Sequence, residues 1–93
     1  MRPNHCQRFG QRLKELRSER ELNQEELAER VGVFRTYMSR IETGAANPTL
    51  TLIHSLADAL GVEVTELFAA PMAVARSTRT RSRQAASRGR VTK

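Results

Sequence analysis

Apolar and polar positions alternate along this chain with helical rather than strand periodicity. Phe9, Leu13 and Leu16 recur at i, i+4 and i+7, one stripe of an amphipathic helix over roughly residues 5–20. Asn4 stands where an N-cap belongs, and Gln7 follows at the reciprocal position three residues later. A second start is written at Asn23, ahead of Gln24-Glu25-Glu26-Leu27-Ala28. Glu26 sits at the capping-box position, and Glu25, Glu26 and Glu29 lie toward the positive end of the helix dipole. This helix, 24–31, stops at Gly32, where a residue without a Cβ can turn the chain.

A third helix is predicted over 35–43, ending at Gly44, and then a loop, since Pro48 biases Asn47 away from helical geometry. Thr49 caps a fourth helix from Leu50 to Leu60, with Leu52, Ile53, Leu56, Ala57 and Leu60 on one side, closed by Gly61. A short fifth helix, capped by Thr65, is expected to carry Leu67 and Phe68. No stretch holds a period of two long enough to predict a strand, so the class is all-α.

The pattern changes after Phe68. From Ala69 the chain is rich in Ala, Ser, Thr and Arg, with few large apolar groups, and cannot bury enough surface to offset the entropy of ordering. Two units are therefore expected: a folded domain over 5–70 and a basic segment over 71–93, disordered from about residue 76. Charge sharpens the division. Residues 76–93 carry Arg76, Arg79, Arg81, Arg83, Arg88, Arg90 and Lys93 with no acid, whereas the first 75 residues hold nine basic and ten acidic side chains. A near-neutral body with a cationic tail suits a chain that meets polyanions. The tail has three readings: added phosphate contacts, little contribution at all, or an acidic partner of another kind.

Composition excludes several classes. With 93 residues, 39% apolar and 4% aromatic, one modest, mainly aliphatic core is expected. No run approaches the roughly 18 apolar residues of a membrane span, and residues 1–10 lack the apolar stretch of a secretory signal. The lone Cys6 excludes an internal disulfide, and His5 and His54 leave too few ligands for structural zinc. His5 and Cys6 read as incidental surface residues, and His54 as partly exposed. A soluble protein of a reducing, cytoplasmic compartment, nucleoid-associated and away from membranes, is the expectation. No Gly-rich phosphate loop and no nucleophile with an oriented base are present, so neither an enzyme nor a cofactor is expected.

The second and third predicted helices, joined by a Gly-containing turn, have helix-turn-helix spacing. With Met38 set at 0° and about 100° per residue, Ile41 and Tyr37 fall on the Met38 side. Thr36, Ser39, Arg40 and Thr43 gather on the opposite side; Arg35, at the first turn, lies to the edge with a long reach. One face is apolar and the other offers hydroxyls and guanidinium groups.

The run LNQEELAERVGVFRTYMSRIETGAANPTLTLIHSLADALGVEVTELF, with FGQRLKELRSERE before it, resembles the phage-repressor (Cro/repressor, Xre-like) helix-turn-helix family over about residues 7–68. The matching elements are Leu22-Asn23-Gln24, Glu26 to Ala28, Gly32-Val33, Ile41-Glu42, Gly44, Pro48-Thr49-Leu50, Leu56-Ala57 and Ala59-Leu60-Gly61. Singly each is weak; in this order and spacing they are specific. The resemblance implies a compact five-helix lambda-repressor-like DNA-binding domain whose third helix enters the major groove. Carried over by position, it implies base contacts from Arg35, Thr36 and Arg40, with Ser39 a weaker candidate. Gln24, Tyr37, Thr43 and Asn47 fall where the family touches phosphate, and Arg17 and Glu42 match an interhelical salt bridge. Arg can pair bidentately with guanine, while helix-start amides and Gln suit phosphate.

Phe34 departs from the family, which often places Ser, Thr or Asp there as N-cap. Its ring either packs against apolar neighbours or meets a thymine methyl on DNA; the usual burial of Phe favours packing. Beyond the double-stranded operator, the implied partners are a second copy of the chain and RNA polymerase or a regulatory protein. Val62, Val64, Leu67, Phe68, Met72 and Val74 offer more apolar surface than one core needs, and the surplus suits a two-fold interface. No ligand-sensing domain follows in the sequence, so control is expected through concentration, a partner protein or operator arrangement. Repression is the simplest mechanism, and activation is equally compatible. The alternative to a sequence-specific regulator is a protein-interaction module of the coactivator kind, without strong DNA sequence preference.

Overall fold

The computed structural model describes residues 4–72. They form five helices: α1 (His5–Glu19), α2 (Gln24–Val31), α3 (Arg35–Thr43), α4 (Leu50–Leu60) and α5 (Val64–Leu67). Among the described residues there is no strand, and no helix is long and apolar enough to cross a membrane. The expected disorder from about residue 76, and the apolar surplus at Val74, lie outside the described residues.

Local chemistry sets most boundaries. Asn4 and Asn23 each close a capping box, with Gln7 and Glu26 returning the bond to the cap amide at 2.9 Å in both. The Thr49 hydroxyl accepts from the Leu52 amide at 3.1 Å at the start of α4. α2, α3 and α4 all end on a left-handed glycine, at Gly32, Gly44 and Gly61. A side chain there would be strained, which explains why the chain stops its helices at those residues. The fifth helix corrects the expectation: Glu63, not Thr65, is its N-cap. The Glu63 carbonyl already accepts from the Glu66 amide at 2.9 Å, so Thr65 lies within the helix, and Phe68 is its C-cap.

The helices pack as a ring: α1 on α3, α3 on α2, α2 on α4, α4 on α5, and α5 back on α1. The enclosed core is Phe9, Leu13, Leu16, Leu27, Ala28, Met38, Ile41, Leu56, Ala57, Leu60 and Leu67, the apolar stripes of the sequence brought together. Leu13, Leu27, Met38, Ile41, Leu56 and Leu67 are completely buried. At about 25 cal/mol per Å² of apolar surface, this burial is the main source of stability.

Polar groups fasten the ring from outside. The Arg20 guanidinium donates to the Leu60 carbonyl at 2.6 Å, satisfying the open C-terminal end of α4. Arg12 reaches from α1 to the carbonyl and the carboxylate of Glu66 in α5, both at 2.9 Å. Beyond α5 the chain turns back on α1: Pro71 is fully buried, and the Met72 amide donates to Glu15 at 2.6 Å.

Candidate nucleic-acid interface

The geometry of α3 follows from the side it buries. Met38, Ile41 and Glu42 face inward at i, i+3 and i+4, the spacing that keeps three side chains on one stripe. Met38 and Ile41 enter the core. Glu42 is an acid with only 2% of its side chain exposed, and two side chains compensate it through three hydrogen bonds. Arg17 of α1 grips both carboxylate oxygens, Nε to Oε2 at 2.6 Å and Nη2 to Oε1 at 3.0 Å. The Gln24 side-chain amide, at the first position of α2, donates to Oε1 at 2.9 Å. Arg17 also donates to the Leu22 carbonyl at 2.6 Å, so one guanidinium ties α1, the turn before α2, and α3. A buried carboxylate is tolerable only when paired and hydrogen-bonded in this way.

Gly10 completes the seating. It is buried in α1, and a Cβ built there would strike the carbonyl oxygens of Ile41 and Glu42. Those carbonyls are backbone and cannot swing aside, so α1 and the end of α3 approach this closely only because residue 10 lacks a side chain. Sequence periodicity gave Gly10 no role; an isolated glycine inside an amphipathic helix was the available signal.

The opposite face of α3 is open. Thr36, Arg40 and Thr43 are exposed and Ser39 is half-buried on the side the helical angles set opposite Met38, and Arg35, at the edge by angle, is exposed as well. The single acid between Phe34 and Thr49 is the buried, neutralised Glu42, so the exposed charges of α3 and its following loop are those of Arg35 and Arg40. α2 differs sharply, with Glu25, Glu26 and Glu29 all exposed. Arg40 Nη2 donates to the Ala45 carbonyl at 3.2 Å, an exposed bond that the guanidinium can exchange for another acceptor. The Arg40 carbonyl anchors the loop by accepting from Ala45 at 2.8 Å and Ala46 at 3.2 Å, and the Thr43 hydroxyl donates to it at 3.2 Å.

The expected phosphate-contacting residues are less uniform. Asn47 is exposed on the loop after α3, and Thr43 at its last turn. Tyr37 is half-buried and packs against the core. Gln24 is half-buried and spends one amide N–H on Glu42, leaving the other available. The expectation that Phe34 packs is corrected: the side chain is 84% exposed and makes no cap hydrogen bond. The ring sits at the half-in position before α3, outside the stripe that faces the core. Leu50, 69% exposed at the first position of α4, is a second open apolar group near this loop in sequence, and the helical stripe gave no sign of it.

A family model described as a helix-turn-helix domain matches residues 8–70. The chain is 41% identical over 58 residues to the immunity repressor protein of Bacillus phage phi105, covering 62% of this chain and 40% of that protein. It thus spans less than half the length of that relative. Among solved structures, the restriction-modification controller protein C.AhdI from Aeromonas hydrophila superposes with a TM-score of 0.66 at 46% identity, over 68% of this chain and 96% of that one. SinR, a master regulator for biofilm formation solved in complex with DNA, gives 0.62 at 35% identity, over 66% of this chain and 98% of that one.

Proposed function

The chain belongs to the helix-turn-helix family, of the phage-repressor (Cro/repressor, Xre-like) type, and we propose that it is a DNA-binding transcriptional regulator that reads a palindromic operator as a homodimer. The observation that carries this reading is the division of α3 between a fully buried Met38 and Ile41 and an open face whose charges are both cationic. Such a helix can lie in the major groove without disturbing the core that holds it.

In this reading Arg35 and Arg40 pair with guanine edges, while Thr36 and Ser39 bond to bases within reach of a hydroxyl. Gln24, Tyr37, Thr43 and Asn47 fix the register through phosphate oxygens and carry no sequence information themselves. One such helix covers half a site, and two related by a two-fold axis would stand about 34 Å apart along the duplex. Phe68 and Met72, 59% and 52% exposed after α5, support the dimer as surface that one copy leaves open. The cationic segment beyond adds sequence-independent attraction to the phosphates. The likeness to a controller protein and a phage repressor supports a regulator that acts by occlusion of RNA polymerase.

The test is selection of duplexes from a random pool at about 150 mM salt, where non-specific binding is weakened. A two-fold-symmetric site enriched by the native chain and lost by Arg35→Ala/Arg40→Ala, with unchanged helicity, is the expected result. Each arginine should contribute about 1–3 kcal/mol, or roughly 5- to 150-fold in affinity. A folded native protein that enriches no sequence would overturn the reading and leave a protein-interaction module in its place.

A further inference from the structure

Phe34 carries a penalty that nothing in the folded body offsets. Its backbone is extended (φ −76°, ψ 149°), and its carbonyl accepts from the Tyr37 amide at 3.0 Å and the Met38 amide at 3.1 Å. The main chain is therefore pinned to the start of α3. The side chain provides no cap, where Ser, Thr, Asp or Asn would satisfy an open amide, and leaves an aromatic ring in water. The missing cap weakens the free protein, and the exposed ring adds nothing to its stability.

The surroundings indicate what covers the ring. Arg35 and Thr36, the next two residues, are exposed on the first turn of α3. That end of a recognition helix meets base edges when it docks in the groove. The two charged residues nearest to Phe34 in sequence, Arg35 and Arg30, are both exposed and cationic, which favours a nucleic acid over an apolar protein surface. Within the major groove the apolar feature of a base-pair edge is the C5-methyl of thymine. A phenyl ring, with two rotatable bonds and a backbone already fixed, loses little freedom in meeting it.

We infer that Phe34 reads a thymine, its ring against the C5-methyl in the major groove, adding an apolar specificity position to the polar ones of Arg35 and Arg40. The inference rests on the DNA-binding reading above. It assigns a role to the one position where this chain gives up the family's polar cap.

The experiment uses the full chain and the enriched duplex, with each thymine replaced in turn by deoxyuridine, which lacks the methyl group. Dissociation constants are measured for the native protein and Phe34→Ser. At one thymine per half-site the native protein should weaken about fourfold, the worth of one buried methyl group. Phe34→Ser should be indifferent to the change at that position and keep the native response elsewhere. Its thermal midpoint should not fall, because serine restores the cap. The inference is overturned if no thymine shows a Phe34-dependent response, or if Phe34→Ser alters self-association while leaving DNA affinity untouched. Failure of the pool to yield any site is a different result: it removes the DNA reading, and this inference with it.

Discussion

Removal of the Arg17 guanidinium tests how α3 is held. Arg17→Met keeps most of the apolar stem and deletes both charged bonds to Glu42, leaving a carboxylate with 2% exposure and the Gln24 amide as its remaining partner. An exposed ion pair would be worth about 0–1 kcal/mol. Here the two side chains are 11% and 2% exposed, so the penalty of a stranded buried charge applies, about 3–5 kcal/mol. The described body of 69 residues should have a total stability of roughly 3–10 kcal/mol, so the variant sits near its unfolding threshold. Urea unfolding followed by far-UV circular dichroism measures the loss. With a slope near 1–1.5 kcal/mol per molar, the midpoint should fall by roughly 2–5 M. Arg17→Met/Glu42→Met, which removes the stranded charge as well, should recover a large part of that loss, giving a strong coupling in the double-mutant cycle. A loss below about 1 kcal/mol for Arg17→Met, or strict additivity in the cycle, would refute the reasoning and mean that water reaches Glu42.

Other expectations follow from the same contacts. Gly10→Ala should destabilise by about 1–3 kcal/mol or more, because its Cβ meets the Ile41 and Glu42 carbonyls; a drop of under about 4 °C in thermal midpoint would show that α1 and α3 can part without penalty. Asn23→Ala should lose about 1 kcal/mol through the α2 capping box, while Asn23→Ser should retain most of it in the same melt. Met38→Ala, from a fully buried site, should cost about 2–5 kcal/mol, whereas Thr36→Ala on the open face should change stability by less than about 0.5 kcal/mol and change DNA selection instead. Truncation after residue 74 removes seven cationic groups, so the salt dependence of DNA affinity should flatten by up to about six; an unchanged slope would show that the segment does not engage phosphate.

What was legible in the sequence was mostly what is decided within one or two turns. Asn4, Asn23 and Thr49 announce helix starts because a polar side chain meets an amide three residues on, and Gly32 and Gly44 announce ends because the chain must reverse there. α5 was misread at its start because its cap uses only the backbone of Glu63, and a four-residue helix has no periodicity to correct the error. The exposure of Phe34 was hidden for a related reason: a half-in residue belongs to no stripe, and average burial pointed the wrong way. Gly10 and the grip of Arg17 on Glu42 depend on residues 25 or more positions apart, which no local pattern joins; the ion pair was foreseen only through the family resemblance. That Gln24 shares its amide with Glu42 was not foreseen at all.

These long-range contacts explain how one body can serve different reading heads. The seating of α3 depends on Met38, Ile41 and Glu42, on the backbone at 41 and 42 against Gly10, and on the left-handed turns at Gly32 and Gly44. Arg35, Thr36 and Arg40 lie outside that set, exposed and clear of the core, and Ser39 is only half-buried. Substitution on the open face therefore perturbs neither the packing of the ring nor the compensation of Glu42. Substitution on the buried face tilts or frees the whole helix and so degrades every contact the open face makes. The two kinds of variant should separate cleanly: open-face changes alter which duplex is enriched at constant thermal midpoint, and buried-face changes lower the midpoint and weaken all duplexes together. Ser39 is the informative exception, since it is half-buried between the two sets. Ser39→Val should move both readouts, by an amount that measures how far α3 can shift before its outer face loses register.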